Sequence, residues 1–409
     1  MRYYLGVDWA DETHAVWGVD EQGQAVSRRA VAHTADGFSE WGRELDEWRA
    51  QGIEVWAAIE RPEGRVVDFL LDRGVVVYPI NPKALDRARD RFRQSRAKSD
   101  SFDARVAAEF LRTDHAHLRP LQPSSEAAQE LKYLTEDCQR LLRQQTRLVN
   151  QLTATVKAYY PRALEVAELT TALARDFLHD HPTPEALTRL TPRHWQRWAR
   201  AHRLSAARTT ELGQVLQQPQ LPVPAHVVRA KARLMLALLA ALTPVVETVA
   251  SYRQAIDDFF ARMPGAQWAR TLPLGERGLT VPTLWARLGD APTRWTSFQH
   301  LQAQAGSVPV TQRSGKHLVV TFRHACDKQL RTVLDHVAFL SLQRSQWARA
   351  YYDAQRARGH RHRHALRALG ATWLKIIFVM WQRHVAYDES YHLATMARQA
   401  LRHPKKKIA

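Results

Sequence analysis

Tyr3-Tyr4-Leu5-Gly6-Val7-Asp8 and Val55-Trp56-Ala57-Ala58-Ile59-Glu60 decide the fold of the first hundred residues, because each is a short apolar run that stops on a carboxylate. The second run is apolar at every position, as a strand buried on both faces is. Between them, His14–Val19 and Ala25–Ala32 read as two more strands with turn signals at Asp20 and Gly23, so the spacing predicts an antiparallel meander. Phe38–Trp48 has helical spacing, Val66–Leu71 is helical, Val75–Tyr78 is a fifth strand, and Pro82–Arg93 and Ser101–Leu111 are helices. Residues 1–113 therefore read as α/β.

Further along, Leu131, Leu134, Leu141, Leu142, Leu148, Leu152 and Val156 recur at helical spacing, which predicts one long amphipathic helix over 125–160, of the kind that forms coiled-coil arms. Residues 161–225 are broken by prolines and rich in Arg, Trp and His, and read as short helices. A second long helix is expected from Val227 to Phe260, a turn at Pro264-Gly265, and a mostly helical C-terminal part. The expected organisation is an α/β domain over 1–115, a helical linker or coiled-coil region over 116–265, and a C-terminal domain over 266–409.

The chain has 409 residues, long enough for two or three domains. Lys and Arg number 59 against 41 Asp and Glu, a net charge of +18 spread along the whole chain. Such a balance attracts polyanions, and contact with a phosphate backbone is its usual use. Two cysteines, Cys138 and Cys326, are too few for a disulfide framework or a cysteine-type zinc site, so a reduced cytoplasm is expected. Met1-Arg2-Tyr3-Tyr4 lacks a signal-peptide layout, and the stretch read as most apolar, Trp373–Trp381, is too short to span a bilayer, so no membrane is expected.

Four acids stand out by position. Asp8 and Glu60 end strands, where side chains emerge from a sheet toward a ligand; Asp100 and Asp103 open a helix and share one face of it. Singly each has a structural reading: Asp8 as a turn residue with Asp11, Glu60 as an exposed strand end, Asp100 as a helix N-cap with Asp103 in the favourable first turn. Together, on a basic protein, they suggest metal-assisted phosphate chemistry. Mg²⁺ takes hard oxygen ligands, and two such ions about 3.5–4 Å apart serve phosphodiester cleavage.

At this point the sequence resembles a known family, the DEDD recombinases of bacterial insertion sequences that are guided by a bridge RNA. The matching pieces are Leu5-Gly6-Val7-Asp8, Ala58-Ile59-Glu60, and Lys98-Ser99-Asp100-Ser101-Phe102-Asp103-Ala104, the last following Val77-Tyr78-Pro79-Ile80-Asn81-Pro82. The resemblance implies a RuvC-like domain of ribonuclease H fold over 1–113, with Asp8, Glu60, Asp100 and Asp103 as ligands of Mg²⁺ or Mn²⁺. In the C-terminal part, Thr271-Leu272-Pro273-Leu274-Gly275-Glu276-Arg277-Gly278 and then Leu288-Gly289-Asp290 are similar to the family's helix-hairpin-helix-like segment, where Gly275 and Gly278 let the backbone approach DNA phosphates. Gln312-Arg313-Ser314-Gly315-Lys316 lies where the family carries a nucleophilic serine. That role passes to Ser314, with Arg313 and Lys316 holding the phosphate; Ser307 is the rival serine, and a plain Ser-Gly turn is the structural alternative.

By this resemblance the protein is a transposase that cuts and rejoins donor and target DNA, takes a noncoding guide RNA as partner and works as a dimer or tetramer. A metal-dependent four-way-junction endonuclease with no covalent intermediate, and an inactive nucleic-acid binder, are the alternatives. Two further clusters are read from the residues. Trp195, Arg197 and Trp198 are suited either to stacking on bases and binding phosphates or to the core of an amphipathic helix. His360, His362 and His364 alternate with arginines and read as a basic loop.

Overall fold

The computed structural model describes residues 1–92, 99–263, 265–275, 278–291, 293–315 and 317–402. The chain divides into two compact units, Met1–Pro123 and Ser124–Ala409.

The first unit is a five-stranded mixed sheet between two helical layers. Strands β1 (Arg2–Asp8), β2 (Thr13–Val19) and β3 (Ala25–Ala32) form the expected meander. Next come α1 (Ala35–Ala50), β4 (Glu54–Ile59), α2 (Arg65–Asp72), β5 (Val76–Pro79), α3 (Pro82–Arg89) and α4 (Asp100–Asp114). The strand order is β3-β2-β1-β4-β5, with β1, β4 and β5 parallel. This arrangement is consistent with the ribonuclease H-like fold expected from the sequence. α1 and α2 cover one face through Trp41, Leu45, Val66, Val67 and Leu70. α3 and α4 cover the other through Leu85, Ala88, Val106, Ala107 and Leu111. The helix expected over Pro82–Arg93 is shorter, ending at Arg89.

The second unit opens on α5 (Glu126–Lys157), capped by the Ser125 hydroxyl, which accepts from the Ala128 amide. Short helices follow: α6 (Ala172–Asp180), α7 (Pro184–Thr188), α8 (Pro192–Ala201) and α9 (Ala206–Gln217). Then comes α10 (Ala225–Arg262), which carries Pro244 in its interior. It packs beside α5, and its buried stripe feeds two cores in turn, Val228, Met235, Leu239 and Leu242 the first and Ile256 and Phe260 the second. One core gathers α6, α9 and the neighbouring halves of α5 and α10. The other gathers α11 (Gln267–Arg270), α12 (Thr280–Leu288), α13 (Phe298–Gln304), α14 (Lys328–Ser341), α15 (Gln346–Ala357) and α16 (His362–Arg383); α17 (Glu389–Arg402) follows, its His392 ring 4.5 Å from that of Trp347. The tail Lys405-Lys406-Lys407 lies outside the described residues.

Two expectations are corrected here. The most apolar long stretch lies in α10, with a window of mean hydropathy 1.9, and not at Trp373–Trp381, which is the buried heart of α16. α10 is long and apolar enough to cross a membrane by length and composition alone; 28% of that window is buried inside the structure. The C-terminal part also carries a β-hairpin, β6 (Val310–Ser314) and β7 (His317–Thr321), where only a serine loop was expected.

Candidate active site

The carboxylate pole is built from one glycine outward. A Cβ on Gly6 would overlap the Ala104 carbonyl oxygen and lie 2.6 Å from the Ala108 nitrogen, so α4 rests on β1 backbone against backbone. Past the end of α4, His115 lies against Tyr4 near the start of β1, with ring centroids 6.0 Å apart. α4 therefore runs antiparallel to β1, and its first turn, with Asp100 and Asp103, stands at the strand end that carries Asp8. Side chains alternate along a strand, so Asp8 shares the α4 face with Tyr4 and Gly6.

Glu60 reaches the same pole by register. β1 and β4 pair from Arg2↔Glu54 to Val7↔Ile59, an offset of 52 residues (54 − 2, 59 − 7), and the next step brings Glu60 beside Asp8. The flanking residues confirm that the two strand ends lie together: the Arg61 guanidinium stands 4.5 Å from the Trp9 ring centroid.

The four side chains differ in environment. Asp103 is buried, and its Oδ1 accepts from Arg89 Nε at 2.7 Å. Arg89 also pairs with Asp86. Burial works against the Arg89 cation, but the Asp103 hydrogen bond and charge outweigh it and raise its pKa. Asp8 is half-buried, while Glu60 and Asp100 are exposed. Asp100 is not the helix cap: Ser99 is, its Oγ accepting from the Phe102 amide at 3.3 Å, which leaves the Asp100 carboxylate at the first helical position. Lys98, the first residue of the quoted motif, lies outside the described residues.

An all-carboxylate donor set at a sheet end suits a hard dication. Yet among the described residues no three His, Cys, Asp or Glu groups approach closely enough to hold an ion, and Asp103 is committed to Arg89.

A feature the sequence did not disclose braces the same pole. His14, fully buried on β2, accepts at Nδ1 from the Ala10 amide at 3.2 Å. Its Nε2 therefore carries the proton and donates to His33 Nδ1 at 2.8 Å. Burial first, and then the His33 charge, holds the His14 pKa below its ordinary value. A neutral His14 thus ties down the loop that follows Asp8. A lone histidine inside an apolar strand was the only hint.

In the second unit Ser314 is the last residue of β6, paired across the hairpin with His317 over a two-residue connection. Gly315 has φ +56, the positive value such tight turns require. Ser314 and Arg313 are exposed, and the Ser314 hydroxyl has no partner among the described residues. Lys316 lies outside them. The rival Ser307 is occupied: its hydroxyl donates to the Gln302 carbonyl at the end of α13. Gly275 (φ +102) and Gly278 (φ +143) both need glycine, and they flank Glu276 and Arg277, which lie outside the described residues. The Arg344 guanidinium is the nearest group to a Cβ at Gly275, at 3.4 Å.

Comparison with known proteins agrees in both units. A family described as a transposase, the DEDD type of IS110, matches residues 5–161. The transposase IS116/IS110/IS902 family matches residues 275–353. The chain is 30% identical over 413 residues to the mini-circle putative transposase for IS117 of Streptomyces coelicolor, spanning 98% of this chain and 99% of that one. It is 35% identical over 204 residues to the putative transposase y4uE of Sinorhizobium fredii, spanning 49% of this chain and 57% of that protein. A 43.6 kDa protein of insertion element IS110 from S. coelicolor is 26% identical over 396 residues, 94% of this chain and 95% of that one.

Proposed function

From the premise that this chain belongs to the IS116/IS110/IS902 family of transposases, and so acts in DNA transposition and recombination, we propose that it cuts and rejoins strands with two separate sets of residues. Asp8, Glu60, Asp100 and Asp103 hold Mg²⁺, or Mn²⁺ in its place, and Ser314 is the nucleophile. The observation that carries this reading is the β1–β4 register, which sets Glu60 beside Asp8 at the strand end facing the first turn of α4.

Ions held there would neutralise charge at the phosphate. Asp8 and Glu60 would hold the ion from the sheet and Asp100 and Asp103 from the helix, which would require Asp103 to give up its hydrogen bond to Arg89. The Ser314 oxygen attacks phosphorus, forming an O–P bond as the bond to the departing deoxyribose oxygen breaks; the serine proton is removed and that oxygen is reprotonated. An exposed hydroxyl beside Arg313, with no partner among the described residues, suits this role better than the occupied Ser307. Lys316, Gly275 and Gly278 contact phosphates. A noncoding RNA selects the DNA sites, and at least two copies of the chain join donor and target.

The test is to incubate the protein with the element's DNA ends, Mg²⁺ and the RNA transcribed beside its gene, and to trap covalent protein–DNA adducts on denaturing gels. Wild type forms adducts; Ser314→Ala and Asp8→Asn form none. Adducts from Ser314→Ala overturn the serine assignment. Cleavage by wild type with no adduct points to metal-activated water, as in a junction endonuclease. Equal yield with and without RNA removes the guide.

A further inference from the structure

Residues 189–203 carry five arginines and two histidines and no Asp or Glu. The structure sorts their aromatic and cationic members onto opposite sides of α8. Trp195, Trp198, Ala199 and His202 recur at i, i+3, i+4 and i+7, one stripe of a helix. The Trp195 and Trp198 rings stack at 5.5 Å, and Trp198 lies 4.1 Å from His202. Both indole N–H groups are used internally, Trp195 donating to the Thr209 carbonyl and Trp198 to Asp180. These rings anchor the helix to its core and are not presented for base stacking.

Arg193, Arg197 and Arg200 fall within about 60° of one another on the helical wheel, centred opposite that stripe. All three are exposed, as are Arg189 and Arg203 on either side. None of the five makes an ion pair, side-chain hydrogen bond or ring contact among the described residues. The acids nearby, Asp176 and Asp180, face His202 and Trp198 on the inner side. A row of like charges with no internal counter-charge repels itself and gains most from a polyanion, which also releases condensed counterions. From Arg193 to Arg200 the helix rises about 10 Å, close to the axial length of three phosphates on one strand of a duplex at ~3.4 Å each.

We propose that the outer face of α8 grips the phosphate backbone of duplex DNA, without reading sequence. Duplex DNA is chosen because the family acts on DNA. The face lies between the two matched ranges, 5–161 and 275–353, and needs neither the carboxylate nor the serine assignment.

The experiment measures binding of the full chain to a random-sequence duplex by fluorescence anisotropy between about 50 and 200 mM salt. The variant carries Arg193→Gln, Arg197→Gln and Arg200→Gln together, and a second variant carries Lys at the same positions. The Gln variant should lower the magnitude of the slope of log affinity against log salt by about 2–3, since each lost phosphate contact removes ~0.9. The Lys variant should restore it. A Gln variant with unchanged slope and affinity overturns the proposal. So does a loss that Lys leaves unrestored, or a loss seen with structured RNA and not with duplex DNA. Because the three arginines are exposed and make no ion pair or side-chain hydrogen bond among the described residues, both variants should melt as wild type does. The readout is binding alone, so adduct formation can fail without touching this result.

Discussion

Asp8 ends a strand with a hydrogen-bonded neighbour on each side, a helix lying against its backbone and a second helical layer behind the sheet. Ser314 ends a strand with one neighbour, in a hairpin whose described residues are almost all exposed, with Leu318 at 59% and Val320 at 58%. An isolated two-stranded ribbon is marginal in water. This one is fixed at its base: Arg331 donates to the Arg323 carbonyl, and the Asp327 side chain caps α14 by accepting from the Gln329 and Leu330 amides. The carboxylates are thus held by packing that extends through a whole layer, and the serine by a turn and a few contacts several residues away. The backbone beneath Asp8 and Asp103 is fixed in the free protein, while their carboxylates have still to draw together; the serine's surroundings are left to what it meets.

That contrast breaks most visibly in the cores. Leu70→Ala, at a fully buried position between α2 and the sheet, should cost about 2–5 kcal/mol. Urea unfolding read by hydrogen exchange in residues 1–123 checks it, and the hairpin amides should not respond. Gly6→Ala should cost about 1–3 kcal/mol, because its neighbours are backbone atoms that cannot turn aside. It should also abolish DNA cleavage by lifting Asp103 away from Asp8; a stable, active Gly6→Ala would remove the foundation assigned to the pole. Gly315→Ala should cost about 1–2 kcal/mol for a left-handed backbone, confined to faster exchange in β6 and β7.

A smaller effect follows pH. Burial lowers the His14 pKa in the folded chain, so the unfolded chain binds that proton more readily. The stability it contributes is complete above the ordinary value of 6.5 and falls as pH drops below it, until His14 itself protonates. His14→Gln should flatten that slope in the first unit. His181, lowered by burial against the opposing charge of Asp180, gives the same sign in the second unit and should keep its slope in that variant. Smallest of all, Ser314→Ala should change stability by less than about 0.5 kcal/mol, as surface replacements do, so any loss of adducts is chemical.

The elements were legible because their signals are local. Two-residue alternation marked β2 and β3, an unbroken apolar run marked β4, and wide apolar spacing marked α5. The cap of α4 is ambiguous in the sequence because Ser99 and Asp100 are both good N-cap residues and adjacent; only the backbone decides which one flanks the helix. Arg89 escaped notice because an arginine near a helix end is unremarkable until the helix it faces is known. The hairpin escaped notice because five-residue strands around Ser-Gly leave no alternation distinguishable from a loop.

What the sequence determined by itself is the inventory: a strongly basic chain, four acids at element ends, a serine beside an arginine, and an Arg–Trp helix. What tertiary structure decided is adjacency. The 52-residue offset between β1 and β4, the contact of Gly6 with Ala104, and the sorting of α8 into an inner tryptophan side and an outer arginine side all depend on which faces are buried against which. Periodicity follows from bonds between near neighbours in the chain. Pairing between distant segments is set by the burial of whole surfaces, and no single stretch of residues records that.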